Sequence, residues 1–172
     1  LRFVHLADTQ LTDDESPVRV VSLDQIGATS GAFRPQEAWG CQGLNAAVRS
    51  INALHTTTPI DLVMLGGDNI DNAQQNEARW FRSVMNGAES IECDSGDDDD
   101  PTPGPSNDAK DPFYAEGLTV PWRWVTGNHD ILNQGNFPIT DTLRATAVGT
   151  AADLGTRSWS RPNAPTTVGP VP

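Results

Sequence analysis

Three short apolar runs, each breaking off into the same kind of polar residue, constrain this chain more than any other feature. Residues 2–7 lead into Asp8, Thr9 and Gln10. Residues 60–65 lead into Gly66, Gly67, Asp68, Asn69, Ile70 and Asp71, and residues 120–126 lead into Gly127, Asn128, His129 and Asp130. Apolar character this nearly continuous over so few residues reads as a parallel strand covered on both faces. Helical patterns separate the runs. The order strand, helix, strand, helix, strand specifies a parallel sheet with helical crossovers. All three strand ends then open on one rim, where open α/β sheets bind their ligands.

The first helix is expected over residues 36–55, with Leu44, Ala47, Val48, Ile51 and Leu54 on its inner face, stopped by Pro59. His55 closes it as a cation favoured by the helix dipole. The second is expected over about 72–88, with Phe81, Val84, Met85 and Ala88 inward. His5, inside the first apolar run, reads as a core histidine rather than a ligand. Residues 11–35 carry turn formers and acids without a period, so they form a long loop, of the kind that is functional or mobile in compact domains. Residues 93–112 turn abruptly to Asp, Pro, Gly and Ser and read as an exposed acidic insertion. A short helix is expected over 111–118, a loop over 131–138 and a helix over 140–148. The α/β domain thus occupies residues 1–150. Residues 151–172 form an irregular tail, and the domain is expected to continue beyond the chain.

A formal net charge of -12 with a single lysine, Lys110, excludes non-specific nucleic-acid or anionic-membrane binding. No run reaches the roughly 18 apolar residues of a membrane span. Cys41 and Cys93 lack thiolate-zinc spacing and read either as a disulfide or as two separate buried thiols. The aspartates at 94 and 97–100 lack the spacing of an EF-hand loop, so a calcium-dependent surface protein is a minor reading.

The rim collects Asp8 and Gln10, Asp68 and Asp71, then Asn128, His129 and Asp130. Carboxylates gathered this way repel one another unless cations are bound, which points to divalent metal. These residues resemble the calcineurin-like metallophosphoesterases, whose pattern is D-x-H, G-D-x-x-D and G-N-H-[DE], each after a parallel strand. Gly67-Asp68-Asn69-Ile70-Asp71 fits the second motif and Gly127-Asn128-His129-Asp130 the third. Asp8-Thr9-Gln10 fits the first except that Gln10 stands where a histidine is usual. The resemblance implies the N-terminal portion of a metallophosphoesterase-like α/β sandwich. It implies two divalent ions (Mn, Fe, Mg or Zn), with Asp68 bridging, Asp8 and Gln10 on the first and Asn128 on the second. His129 would act on the phosphoryl or leaving-group oxygen, Asp130 would orient its ring, and Asp71 would tie the loop together. The implied reaction is hydrolysis of a phosphate mono- or diester through a metal-bound hydroxide at a binuclear site.

Two departures set the competing expectation. Gln10 removes a nitrogen ligand and leaves an oxygen-rich first site, favouring manganese, magnesium or iron over zinc. The chain holds only His5, His55 and His129, so the downstream histidines of the family pattern are absent. The alternative is a catalytically inactive fragment or binding module retaining the fold. On the enzyme reading, the missing ligands come from a remaining C-terminal segment. The partner is a small phosphoester, and the low lysine content and possible disulfide lean toward a secreted or extracytoplasmic protein.

Overall fold

The computed structural model describes residues 1–13, 16–19, 36–94, 110–136 and 138–148. Strands β1 (Phe3–Leu6), β2 (Leu62–Leu65) and β5 (Trp122–Trp124) form a parallel sheet in the order β1-β2-β5. Phe3 pairs with Leu62 and Leu6 with Leu65, while Val63 pairs with Trp122 and Leu65 with Trp124. Helix α1 (Gly40–Thr57), preceded by a single 3-10 turn at Glu37–Trp39, makes the first crossover. Helix α2 (Gln75–Asn86) opens the second. The expected α/β architecture with a parallel sheet is the one the chain adopts.

The core lies on one face of this sheet. Side chains alternate across a strand, so Val63 and Leu65 of β2 point inward and are fully buried. There they meet Val48 of α1 and Phe81, Val84 and Met85 of α2. Phe81 stands edge-on to Trp122 and Trp124, with ring centroids 6.4 and 4.8 Å away. Such edge contacts add about 0.5–1.5 kcal/mol beyond area burial. The opposite face differs from expectation. Phe3 is 52% exposed and Met64 38%, and His5 and Arg123 beside them are exposed too. Among the described residues the strands are thus covered on one side, and His5 is exposed there instead of buried in the core. An apolar run records which residues tolerate burial, not whether a second layer arrives.

Helix α1 is rotated from its expected face. Leu54 is exposed, and Cys41, Asn45 and Asn52 are buried beside Leu44, Val48 and Ile51. The two asparagines explain the turn. Asn45 Nδ2 donates to the Tyr114 carbonyl at 2.9 Å, and Asn52 Nδ2 donates to the Gly117 carbonyl at 2.8 Å. Asn52 Oδ1 accepts from the Thr119 amide and hydroxyl, both at 3.0 Å. At the end of α1, His55 Nδ1 accepts from the Ile60 amide at 3.0 Å and closes the turn toward β2.

Helix α2 ends at Gly87, and the chain reverses into β3 (Ala88–Ile91), which pairs antiparallel with β4 (Phe113–Ala115). Residues 111–118 therefore supply a strand where a helix is expected. Pro112 disfavours helix in the residue before it, and Gly117 adopts a left-handed φ of 75°. The acidic insertion lies mostly at 95–109, outside the described residues, as do the tail at 151–172 and most of the 11–35 loop. Helix α3 (Asp141–Ala147) forms where expected, with the Thr140 hydroxyl accepting from the Leu143 amide at 3.1 Å as its cap.

Cys41 and Cys93 form a disulfide joining the start of α1 to the end of β3 across 52 residues of sequence. Loop-closure entropy for a ring of that size contributes about 4 kcal/mol. The paired change Cys41→Ser, Cys93→Ser is expected to lower unfolding stability by roughly that amount in urea titrations. A loss below about 1 kcal/mol would mean that α1 and β3 hold together without the bond.

Candidate active site

The three strand ends meet through their backbones. The Gly66 amide donates to the Leu6 carbonyl at 2.8 Å, the Asp8 amide to Gly67 at 3.1 Å and the Gln10 amide to Asp68 at 2.9 Å. Beyond them Leu11 bridges Ile70 in parallel, so the first two loops run on as an extension of the β1–β2 pairing. The Thr9 hydroxyl adds a bond to the Asn69 carbonyl at 2.8 Å. Asp8, Gln10 and Asp68 all take left-handed φ values, of 57°, 41° and 51°. Non-glycine residues held there are strained, and such strain gathers at functional sites.

The third loop is pressed against the second with no room to spare. A Cβ at Gly127 would lie 2.1 Å from Asp68 Oδ1 and 2.3 Å from the Asp68 amide. A Cβ at Gly67 would lie 2.9 Å from the Gly127 Cα. Only glycines permit this approach. One carboxylate seals it: Asp130 accepts from the backbone amides of Asn69 and Ile70, both at 2.9 Å, and of Gly127 at 2.8 Å. It also accepts from Nδ2 of the fully buried Asn69 at 3.1 Å.

His129 sits between two carboxylates. Its amide donates to Asp68 Oδ1 at 3.0 Å, and its ring Nδ1 lies 3.0 Å from Oδ1 of buried Asp71. The ring is half-buried, with 24% of the side chain exposed. The ring partner is thus Asp71, and the residue that ties the loops together is Asp130, the reverse of the expected division. Sequence adjacency is the reason for the misreading. Neighbouring side chains in a turn diverge, and Asp130 is already engaged by four donors.

Asp8 and Asn128 are exposed on this rim, and Gln10 and Asp68 are half-buried. All four offer oxygen donors, and the Asp68 carboxylate spends Oδ1 on the His129 amide. This donor set and its strained backbone fit the type of ligand that hard divalent cations take. Among the described residues, however, no group of three or more His, Cys, Asp or Glu is placed to hold a metal ion. The residues fit a metal edge in kind and supply part of a ligand set.

Four further residues hold the rim, and only one of them carries a signal in the sequence. Arg19 and Glu37 form a buried ion pair behind Asp71, and nothing periodic in the 11–35 loop signals it. Asn69 is the unassigned middle of the second motif. Glu77 was open to detection, because Gln74 and Glu77 form a capping box at the start of α2. Fully buried, Glu77 accepts from the amides of Asp13 at 2.8 Å, Asn72 at 2.9 Å and Gln74 at 3.1 Å, and from Asn72 Nδ2 at 2.6 Å.

Burial pushes the Glu77 carboxyl up from its ordinary 4.5 to about 7, outweighing those hydrogen bonds, which favour the charged form. A carboxylate raised in the fold holds its proton where the unfolded chain has lost it. Stability therefore falls as pH rises from 4.5 through about 7. The gap corresponds to about 3 kcal/mol. Denaturant titrations across that window are expected to show this loss in the wild type and a flatter curve in Glu77→Gln. Parallel curves for the two proteins would show that Glu77 stays ionised throughout.

Residues 1–162 match the family model described as Calcineurin-like phosphoesterase, and the chain belongs to that family. A phosphoesterase-type function goes with membership, and the family generally uses divalent metals and acts on small phosphoester substrates. No curated protein and no solved structure matches the chain closely enough to add to this. No helix among the described residues is long and apolar enough to cross a membrane.

Proposed function

We propose that the protein hydrolyses a small phosphate mono- or diester at a binuclear metal site on the rim formed by Asp8, Gln10, Asp68 and Asn128. The observation that carries this is His129, set on that rim with its amide on Asp68 and its ring Nδ1 3.0 Å from Asp71. With Nδ1 turned to a carboxylate, Nε2 is the ring nitrogen left for a phosphoryl or leaving-group oxygen, as general acid catalysis requires. Divalent cations held there would supply Lewis acidity toward the phosphoryl oxygens and the attacking water. Asp68 would be shared between two ions, Asp8 and Gln10 would serve the first, and Asn128 the second. Any ligands beyond these would have to come from outside this set. Net charge of -12 disfavours polyanionic substrates and supports a small ester. The Cys41–Cys93 disulfide supports a secreted or extracytoplasmic location.

A non-catalytic binding module is the second reading, favoured by Gln10 and by the absence of a three-ligand acidic or histidine group among the described residues. Metal analysis combined with turnover of p-nitrophenyl phosphate and bis-p-nitrophenyl phosphate separates the two. Hydrolysis with manganese, magnesium or iron, and weaker support by zinc, is the expected result. Tight stoichiometric zinc would refute the oxygen-rich first site. No turnover of either ester with any of these ions would favour the module.

A further inference from the structure

Behind the His129 ring lies a buried line of charge that the rim motifs do not contain. Asp71 Oδ1 faces the ring, and Asp71 Oδ2 lies 3.8 Å from Nε of Arg19. Arg19 in turn forks onto Glu37, with Nε donating to Oε2 at 3.2 Å and an Nη to Oε1 at 2.5 Å. Arg19, Glu37 and Asp71 are each more than nine-tenths buried. Arg19 comes from the loop after β1, and Glu37 comes from the 3-10 turn before α1. Neither belongs to a strand end.

We propose that Arg19 is a positioning residue for His129, acting through Asp71 and itself oriented by Glu37. The inference rests on the hydrolase reading for its effect on turnover. A guanidinium serving only to anchor the loop needs one carboxylate, and Glu37 already supplies it with two-point geometry. Arg19 faces a second carboxylate, and that one is the partner of the His129 ring. The guanidinium charge 3.8 Å from Oδ2 offsets the burial of the Asp71 carboxylate and holds it in place, with Oδ1 3.0 Å from Nδ1 and Nε2 the ring nitrogen left for substrate. This is how outer partners fix the tautomer and tilt of a working imidazole. A lysine cannot replace it, because a single ammonium lacks the planar fork that grips Glu37 at two points while keeping the positive charge beside Asp71.

The test uses Arg19→Met in the full-length protein, with the double variant Arg19→Met, Glu37→Met as the partner. Removing one member of a buried pair risks the fold, and removing both is better tolerated. Both variants are expected to lower kcat about 10–100-fold with KM nearly unchanged. Placed on a His129→Ala background, the same change is expected to have no further effect on kcat, since its route has been removed. Arg19→Lys is expected to restore folding without restoring kcat.

A second readout does not need turnover. Only three histidines are present, His5, His55 and His129. The nitrogen-15 ring signals at one fixed pH are expected to show His129 protonated on Nδ1 in the wild type. In either variant that signal should move toward a mixture of tautomers, with His5 and His55 unmoved. A folded variant whose His129 signal stays put, or a kcat loss that repeats in full on the His129→Ala background, would overturn the assignment. If the wild type hydrolyses no phosphoester, the functional reading fails, and the ring spectrum still decides whether Arg19 positions His129.

Discussion

Asp68→Ala is expected to remove phosphoester turnover, with a fall of about 10⁴-fold or more. The estimate follows from losing several kcal/mol of charge stabilisation at roughly 1.4 kcal/mol per tenfold. Two functions meet in this side chain. On the proposed reading it is the shared metal ligand, and in the structure its Oδ1 accepts from the His129 amide at 3.0 Å. Alanine deletes both and leaves a residue in the left-handed region at φ 51°, where Asp is better tolerated than Ala. Asp68→Asn separates the effects, because the carboxamide oxygen can still accept from His129 while the negative charge is gone. Metal stoichiometry and kcat should fall together in both variants. Retention of full metal content in Asp68→Asn with intact turnover would remove Asp68 from the centre of the site.

His129→Ala is expected to divide those two readouts. The ring lies 3.0 Å from Asp71, and its backbone rather than its side chain contacts Asp68. Metal content should therefore stay near the wild-type level while kcat falls about 10²–10⁴-fold, the range for a general acid. The loss should be smaller for an ester with a good leaving group such as p-nitrophenolate, which needs little protonation, than for an alkyl phosphate. Equal losses on the two substrates would assign the ring to phosphoryl binding instead. Unchanged turnover on both would remove His129 from the chemistry.

Strands and rim were legible because each apolar run stops at a polar cluster, and a parallel crossover leaves the chain no other way to arrange three such ends. The motifs at Asp68 and Asn128 then named the family. What lay beyond reach has identifiable physical causes. The strand at Ala88–Ile91 is half polar and earns its place only by pairing with Phe113–Ala115. Burial of Asn45 and Asn52 depends on carbonyls at Tyr114 and Gly117, more than 60 residues away, so a hydrophobic stripe put Leu54 inward in their stead. The buried Arg19–Glu37 pair joins two aperiodic segments. Sequence adjacency points to Asp130 as the partner of the His129 ring, but Asp71 faces it, because how the loops fold over each other decides which carboxylate does.

Asp130 carries a consequence for anyone scoring mutants of this protein by activity alone. Its carboxylate is the clasp between two loops, engaged by three main-chain amides and one carboxamide. Cutting it back would leave those donors without their acceptor, at up to about 1–3 kcal/mol for each that stays buried. The rim would then come apart before any reaction began. A variant lacking it would look as dead as one lacking a reacting group, though its carboxylate is spent on the loops. A mechanic testing an engine by pulling parts would likewise mistake a bolt for a piston.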